Sequence, residues 1–271
     1  MITAKLSIYL ILLCISLNIR LATGSDLEKE QRWAEQISDS IMTGDATWLT
    51  VKKHKFLTIF TPAQTAKTLG GVILVHGIGV HPNWTDVIQP LRTELPESGW
   101  ATLSIQMPVL KNDAELKEYL PLFDEVPARF ESAIQFLGTK KITNIIIVSH
   151  SFGGTMTSYY LTQKPNNPIK AFVGIGMSSH DFDDKFNVVK ALGKLKLPIL
   201  DLYGSRDLKL VIQTAPARAT AAKIAANKKY SQIEIVGADH FFSRMDESLV
   251  SKVKSWLNKN AIVETQETKK E

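Results

Sequence analysis

Cysteine is nearly absent from this chain: of 271 residues one is cysteine, Cys14, and it lies in the apolar opening. From Ser25 onward there is none, which excludes a disulfide framework, a thiolate nucleophile and cysteine-based metal sites. Long hydrophobic runs are scarce as well. The stretch from Leu6 to Ile19 is interrupted by Ser7, Ser16 and Asn18 and falls short of the about 20 apolar residues that a transmembrane helix needs. Charge of one sign is also lacking, since 32 Lys and Arg against 27 Asp and Glu leave a net +5. Lys52-Lys53-His54-Lys55 and Lys140-Lys141 read as solvated surface. Neither makes the basic stripe with stacking aromatics that nucleic-acid binding requires, so no nucleic-acid partner is expected. Internal repeats and low-complexity segments are missing too.

What is present begins with a leader. Met1-Ile2-Thr3-Ala4-Lys5 makes a short positive start, Leu6 to Ile19 follows as an apolar stretch, and Ala22-Thr23-Gly24 offers small residues before a cut. That is the pattern of a signal peptide over residues 1–24. Arg20 stands unusually close to the cut and keeps an uncleaved anchor as the alternative. Leu13 precedes Cys14 where a lipoprotein site wants a small residue, so lipid attachment is not expected. The expected product is exported, periplasmic or secreted, with no stable membrane insertion after cleavage. Its length suits one domain.

Residues 25–45 form a charged segment of helical character, with Trp33 and Ile37 four apart. Strand-like segments then recur near residues 48–60, 72–75, 101–106, 144–148, 171–176, 199–203 and 232–236, with helical stretches between several of them. Val126, Phe130, Ile134 and Leu137 mark one helix, stopped by Gly138, and Leu249, Val253, Trp256 and Leu257 mark the closing one. Such alternation predicts an α/β domain over 46–259 with a mainly parallel central sheet and helices on both faces. A flexible polar tail is expected over 260–271.

The chemistry centres on Ser151. The apolar run Ile145-Ile146-Ile147-Val148 leads into Ser149-His150-Ser151-Phe152-Gly153-Gly154 and then a helix, the shape of a nucleophile elbow. Ser149 stands where the G-x-S-x-G pattern has its first glycine. In this architecture the acid and the histidine follow the serine from loops after later strands. Leu197 to Tyr203 reads as a buried strand and ends in Gly204-Ser205-Arg206-Asp207, which places Asp207 at its carboxyl end. Ile233 to Val236 alternates like a strand and leads to His240. A carboxylate on one imidazole nitrogen fixes the tautomer that lets the other act as a base. Asp207 has a rival role as the cap of a helix starting at Leu208, and Asp181, Asp183 and Asp184 are substitute acids. Of six histidines, His240 alone follows the last strand and precedes the closing helix. His76 and His81, with Asp86 the nearest acid, match no recognised ligand spacing, so no metal is expected. Gly70 to Val75 reads as a buried strand ending in His76-Gly77-Ile78-Gly79. The Ile78 and Phe152 amides are therefore the candidate oxyanion-hole donors.

These four segments, in this order, resemble the α/β-hydrolase superfamily from Phe56 to Leu257. A narrower likeness rests on Val75-His76-Gly77-Ile78-Gly79-Val80-His81-Pro82-Asn83-Trp84, Pro90-Leu91, Gly99 to Gln106 and Leu200-Asp201-Leu202-Tyr203-Gly204. These are similar to an exported bacterial α/β-hydrolase-like family of unknown function. The resemblance implies an α/β-hydrolase fold and an exported chain but names no substrate. Met177 to Leu197 is too short for a large cap domain, and Met107 to Leu122 is expected to rim a shallow pocket. The expectation is a serine hydrolase that uses Ser151, Asp207 and His240 on a small-molecule acyl substrate, with no cofactor. The alternative is a non-catalytic envelope protein binding a small ligand or partner. Oligomeric state is left open.

Overall fold

The computed structural model describes residues 24–262. The leader assigned to 1–24 therefore lies outside the described residues except for Gly24, as does the tail beyond Ile262. Within these bounds the strand expected over 48–60 is a hairpin. Strands β1 (Asp45–Val51) and β2 (His54–Thr61) pair antiparallel with Val51 opposite His54. Lys52, at φ +54°, turns the chain between them. Turn chemistry usually advertises such a position through Gly or Asn, and a lysine pair does not.

Six further strands follow: β3 (Gly70–Val75), β4 (Trp100–Ile105), β5 (Ile145–His150), β6 (Ile169–Ile175), β7 (Ile199–Arg206) and β8 (Tyr230–Asp239). The sheet order is β1-β2-β4-β3-β5-β6-β7-β8. β2 meets β4 antiparallel, and every pair from β4 across to β8 is parallel. β3, β4 and β5 are buried at every position, so residues 72–75 and 145–148 run as unbroken apolar stretches, while β4 buries Thr102 and Ser104 by donating their hydroxyls to the Arg92 and Pro82 carbonyls at 2.9 and 2.7 Å. Their two faces feed two cores. Ile73, Val75 and Ile147 pack beneath α3 (Val126–Thr139) and α4 (Phe152–Gln163). Val72, Leu74, Ile146 and Val148 pack beneath α2 (Ile88–Glu94) and α7 (Asp246–Asn260). Each such buried aliphatic side chain stabilises the fold by about 1.5–3 kcal/mol relative to exposure. The remaining helices are α1 (Leu27–Ser38), α5 (Val188–Leu192) and α6 (Lys209–Ile224). α1 lays Ala34 and Ile37 against Leu57 and Ile59 of β2.

The topology sets where a site can form. From β3 the chain passes to β4 on one side, while β5 lies on the other, so a crevice opens at the carboxyl ends of β3 and β5. Ligands of open α/β sheets bind at such a reversal. His76-Gly77-Ile78 leaves β3 there and Ser151 leaves β5. Between β6 and β7 the chain makes a short turn of helix at Asp184–Phe186 and the five-residue α5, with no cap. The segment expected to rim the pocket lies beside the elbow, with Tyr119 edge-on against Phe152, and turns its apolar residues inward. Met107, Val109, Tyr119 and Leu122 are buried in the core, and Leu116–Asp124 is a 3-10 helix. Its apolar side chains find a drier environment inward than over the crevice. Among the described residues no helix is long and apolar enough to cross a membrane.

Candidate active site

Ser151 is the single residue between the end of β5 and the start of α4. Its backbone sits at φ +54°, ψ −124°, a region that side-chain-bearing residues rarely occupy and that persists only when the surroundings enforce it. They do so here. The Ser151 N–H donates to the Ile175 carbonyl at 2.8 Å. A Cβ on Gly153 would stand 2.5 Å from the His76 carbonyl oxygen, so only glycine lets the first turn of α4 approach the end of β3 this closely. Ser149, at the position where the motif usually has glycine, is fully buried, and its hydroxyl shares a 2.6 Å hydrogen bond with Thr157 of α4. The extra hydroxyl is thereby satisfied and ties strand to helix, away from Ser151.

Three side chains meet at this elbow. Ser151 Oγ lies 2.9 Å from His240 Nε2, and His240 Nδ1 lies 2.6 Å from Asp207 Oδ1. Both His240 and Asp207 are buried. Asp207 Oδ1 also accepts the Leu208 N–H at 2.7 Å, and Oδ2 accepts the Gly204 N–H at 3.3 Å, so backbone donors orient the carboxylate. α6 begins one residue later than the sequence suggests, with Leu208 as its N-cap and no side-chain cap. The substitute acids are engaged elsewhere: Asp183 caps the Asp184–Phe186 turn through Lys185 N, Asp184 pairs with Lys190, and Asp181 is exposed. Gly176, at φ +61°, backs the imidazole, and a Cβ there would stand 3.0 Å from the His240 ring.

Two further histidines shape the crevice. The His150 ring lies beside that of His240, tilted by 40° with ring centres 4.8 Å apart, and its Nε2 donates to the His240 carbonyl at 2.9 Å. Burial pushes its pKa down to about 4, so the ring stays neutral and holds the His240 backbone without adding charge. His76, likewise buried, is pushed down to about 3, chiefly by desolvation. Its Nε2 accepts from the Met107 N–H at 2.9 Å and faces Gln106 Nε2 at 3.0 Å, which leaves the proton on Nδ1, and Nδ1 donates to the Gly77 carbonyl at 2.8 Å. Because Gly77 C=O and Ile78 N–H belong to one planar trans peptide, fixing the carbonyl aims that N–H the opposite way. The Ile78 side chain is 39% exposed at the crevice. Phe152 N–H is at the first position of α4, where amides have no intrahelical partner.

The sequence singled out His76 only as a weak metal ligand. Its two nitrogens are instead taken by protein partners, and His81 stacks edge-on between Trp33 and Trp84. Among the described residues no cluster of three or more His, Cys, Asp or Glu is placed to hold a metal. A cavity of about 850 Å³ does exist, lined by Phe60, Leu69, Lys140 and Asn144 among others. It lies at the amino ends of β3 and β5, the opposite edge from Ser151, so its size says nothing about chemistry at the elbow.

Solved structures share this architecture. Est1E from Butyrivibrio proteoclasticus matches with a TM-score of 0.61 and 17% identity, covering 80% of this chain and 99% of its own. An α/β serine hydrolase homologue from Coxiella burnetii matches at 0.57 and 15%, covering 79% and 99%. An α/β serine hydrolase without lid from Xanthomonas campestris matches at 0.58 and 12%, covering 83% and 98%. At these identities the likeness shows the fold alone, which is the α/β-hydrolase fold without a cap. None of the curated proteins matches the sequence. The family described as protein of unknown function (DUF3530) matches residues 19–122 and 120–259, and the chain belongs to that family.

Proposed function

We propose that this chain is an exported serine hydrolase that cleaves an ester or related acyl bond of a small molecule through an acyl-enzyme. The observation that carries the reading is the relay from Ser151 Oγ through His240 to Asp207, at 2.9 and 2.6 Å, on a strained turn facing the β3–β5 crevice. In the forward step Ser151 Oγ attacks the acyl carbonyl while His240 Nε2 takes its proton. Asp207 stabilises the resulting imidazolium through Nδ1–H, and the Phe152 and Ile78 amides receive the oxyanion. The tetrahedral adduct collapses, and the leaving alcohol departs with the proton from His240. Water then attacks the acyl-enzyme by the same route, releasing the acid and restoring Ser151.

The apolar surface around the site is small and exposed: Ile78, Phe182, Leu208 and Phe241 are each 39–55% accessible. That supports a short or medium acyl group, since each buried methylene contributes only about 0.8 kcal/mol and few can be covered here. Est1E has also been solved with ferulic acid bound, which supports a small carboxylic acid as the acyl part. Labelling with a fluorophosphonate tests the reading without knowledge of the substrate. Wild-type protein should label at Ser151 and the Ser151→Ala variant should not. Folded wild-type protein that stays unlabelled while a control esterase reacts would leave a binding role in place of catalysis. Export is tested by the mass of the product, which should begin at Ser25. A chain intact from Met1 and membrane-bound would mean an uncleaved anchor.

A further inference from the structure

Cutting a leader after Gly24 would turn the Ser25 amide into an α-ammonium, and we infer that this new charge is a structural ion of the mature protein, received by the Glu125 carboxylate. The inference rests on the reading of residues 1–24 as a cleaved leader. Its geometry is independent of that reading. Ser25 N donates to Glu125 Oε1 at 2.9 Å and Ser25 Oγ donates to Oε2 at 2.8 Å, so one carboxylate grips both groups. The next residue is fixed as firmly: Asp26 N donates to the Val109 carbonyl at 2.7 Å, and the Asp26 side chain caps α1 through Lys29 N at 2.9 Å. The amine is thus held at its acceptor before any charge appears on it.

Charge around the site gives the ammonium a purpose. Arg129, 1% exposed, donates to both oxygens of Glu30 at 2.8 and 2.9 Å and to the Gln106 carbonyl at 3.0 Å, and lies 3.8 Å from Glu125 Oε2. Burial opposes ionisation of Glu30, but the His54 and Arg129 contacts outweigh it and hold the carboxyl below its ordinary value. Two carboxylates therefore share one guanidinium. Lys29 does not relieve this, because its ammonium is taken by the Leu110 carbonyl and Asn112. An ammonium at Ser25 brings the cluster to balance, with three donors and a full charge where the uncut chain has one amide donor. The gain arises only after processing, so the mature domain is more stable than its precursor.

A four-protein cycle tests this: the chain beginning at Ser25, the chain extended through Gly24 into an uncleavable tag, and the Glu125→Gln version of each. The mature chain should melt higher than the tagged one by about 2–4 °C, and the difference should vanish in the Glu125→Gln background. A tag effect equal in both backgrounds, or none in either, overturns the pairing. Carbamylation by cyanate gives a readout apart from stability. The Ser25 amine of the folded mature protein should react several-fold more slowly than that of its Glu125→Gln variant, and equal rates overturn the proposal. An exported protein whose mass does not begin at Ser25 overturns the cut after Gly24 and this role with it. A correct N-terminus combined with an additive cycle overturns the ion pair alone.

Discussion

At the scale of single residues, the strongest constraint is on Asp207, whose carboxylate serves His240 Nδ1 and two backbone amides at once. Asp207→Asn removes the charge that stabilises the imidazolium, and an amide turned into the place of Oδ1, which serves both His240 Nδ1 and Leu208 N, offers the imidazole a donor and favours the wrong tautomer. Acyl transfer should fall by about 10⁴ with the melting temperature nearly unchanged. Asp183→Asn, which touches only the cap of a surface turn, should stay near wild type. Hydrolysis of a nitrophenyl ester by the two variants decides it, and a reversed order would move the acid to the other loop. Ser151, Asp207 and His240 were legible in the sequence because each sits where an apolar strand gives way to a turn, in the order that a parallel sheet requires. Gly176 and His150 were not. What marks them is contact with His240, which comes from loops 64 and 90 residues further along the chain, and no local pattern records such a meeting.

At the scale of elements, the loop after β3 is only as rigid as what holds it. His76 is that support, since its Nδ1 fixes the Gly77 carbonyl while Nε2 is anchored by the start of the 107–122 segment. His76→Ala frees the Gly77–Ile78 peptide to rotate, and loss of one oxyanion donor costs about 10²–10³ in kcat. The expected signature is a fall in kcat approaching that range with KM little changed. A rise in KM alone would assign His76 to substrate binding. Further out, Arg129 joins Glu30 of α1 to the Gln106 carbonyl, so the first helix is bolted to the segment that anchors His76. Glu30→Ala leaves a buried guanidinium without its carboxylate and should destabilise the fold by about 3–5 kcal/mol, read as a lower urea midpoint. A midpoint within error of wild type would mean that Glu125 takes over the pairing. The sequence shows α1 as a charged, helical segment but not what its charges meet, because Lys29 and Glu30 reach Leu110, Asn112 and Arg129, 81 to 99 residues away. For the same reason the depth to which the 107–122 segment packs was not legible: apolar residues without a period state that they are buried, not against what.

At the scale of the whole molecule, the parallel sheet encloses histidines that the unfolded chain would leave in water. Burial is the leading cause in each case: His76 is pushed down to about 3, and His81 and His150 to about 4, against an ordinary value near 6.5. A group whose pKa is depressed on folding contributes stability that is complete above its unfolded value and is lost as pH falls toward the folded one. Below pH of about 6.5 the unfolded chain therefore binds protons that the native protein refuses, and each of the three groups lowers stability by up to about 1.4 kcal/mol per pH unit. Glu30, held below its ordinary value, extends the loss to lower pH still. Denaturant midpoints measured from pH 8 to pH 4 should be level above pH 7 and should fall steadily below about pH 6. His81 is the separable part of this effect, because it is only half-buried and stacks against Trp33 and Trp84 without a role at the elbow. His81→Phe keeps an aromatic ring there and removes the titration, so its midpoint should fall less steeply with acid by about one proton while ester hydrolysis at neutral pH stays near wild type. A wild-type profile that is flat down to pH 4.5, or a His81→Phe profile that overlays it, would show that these rings take up protons in the native state.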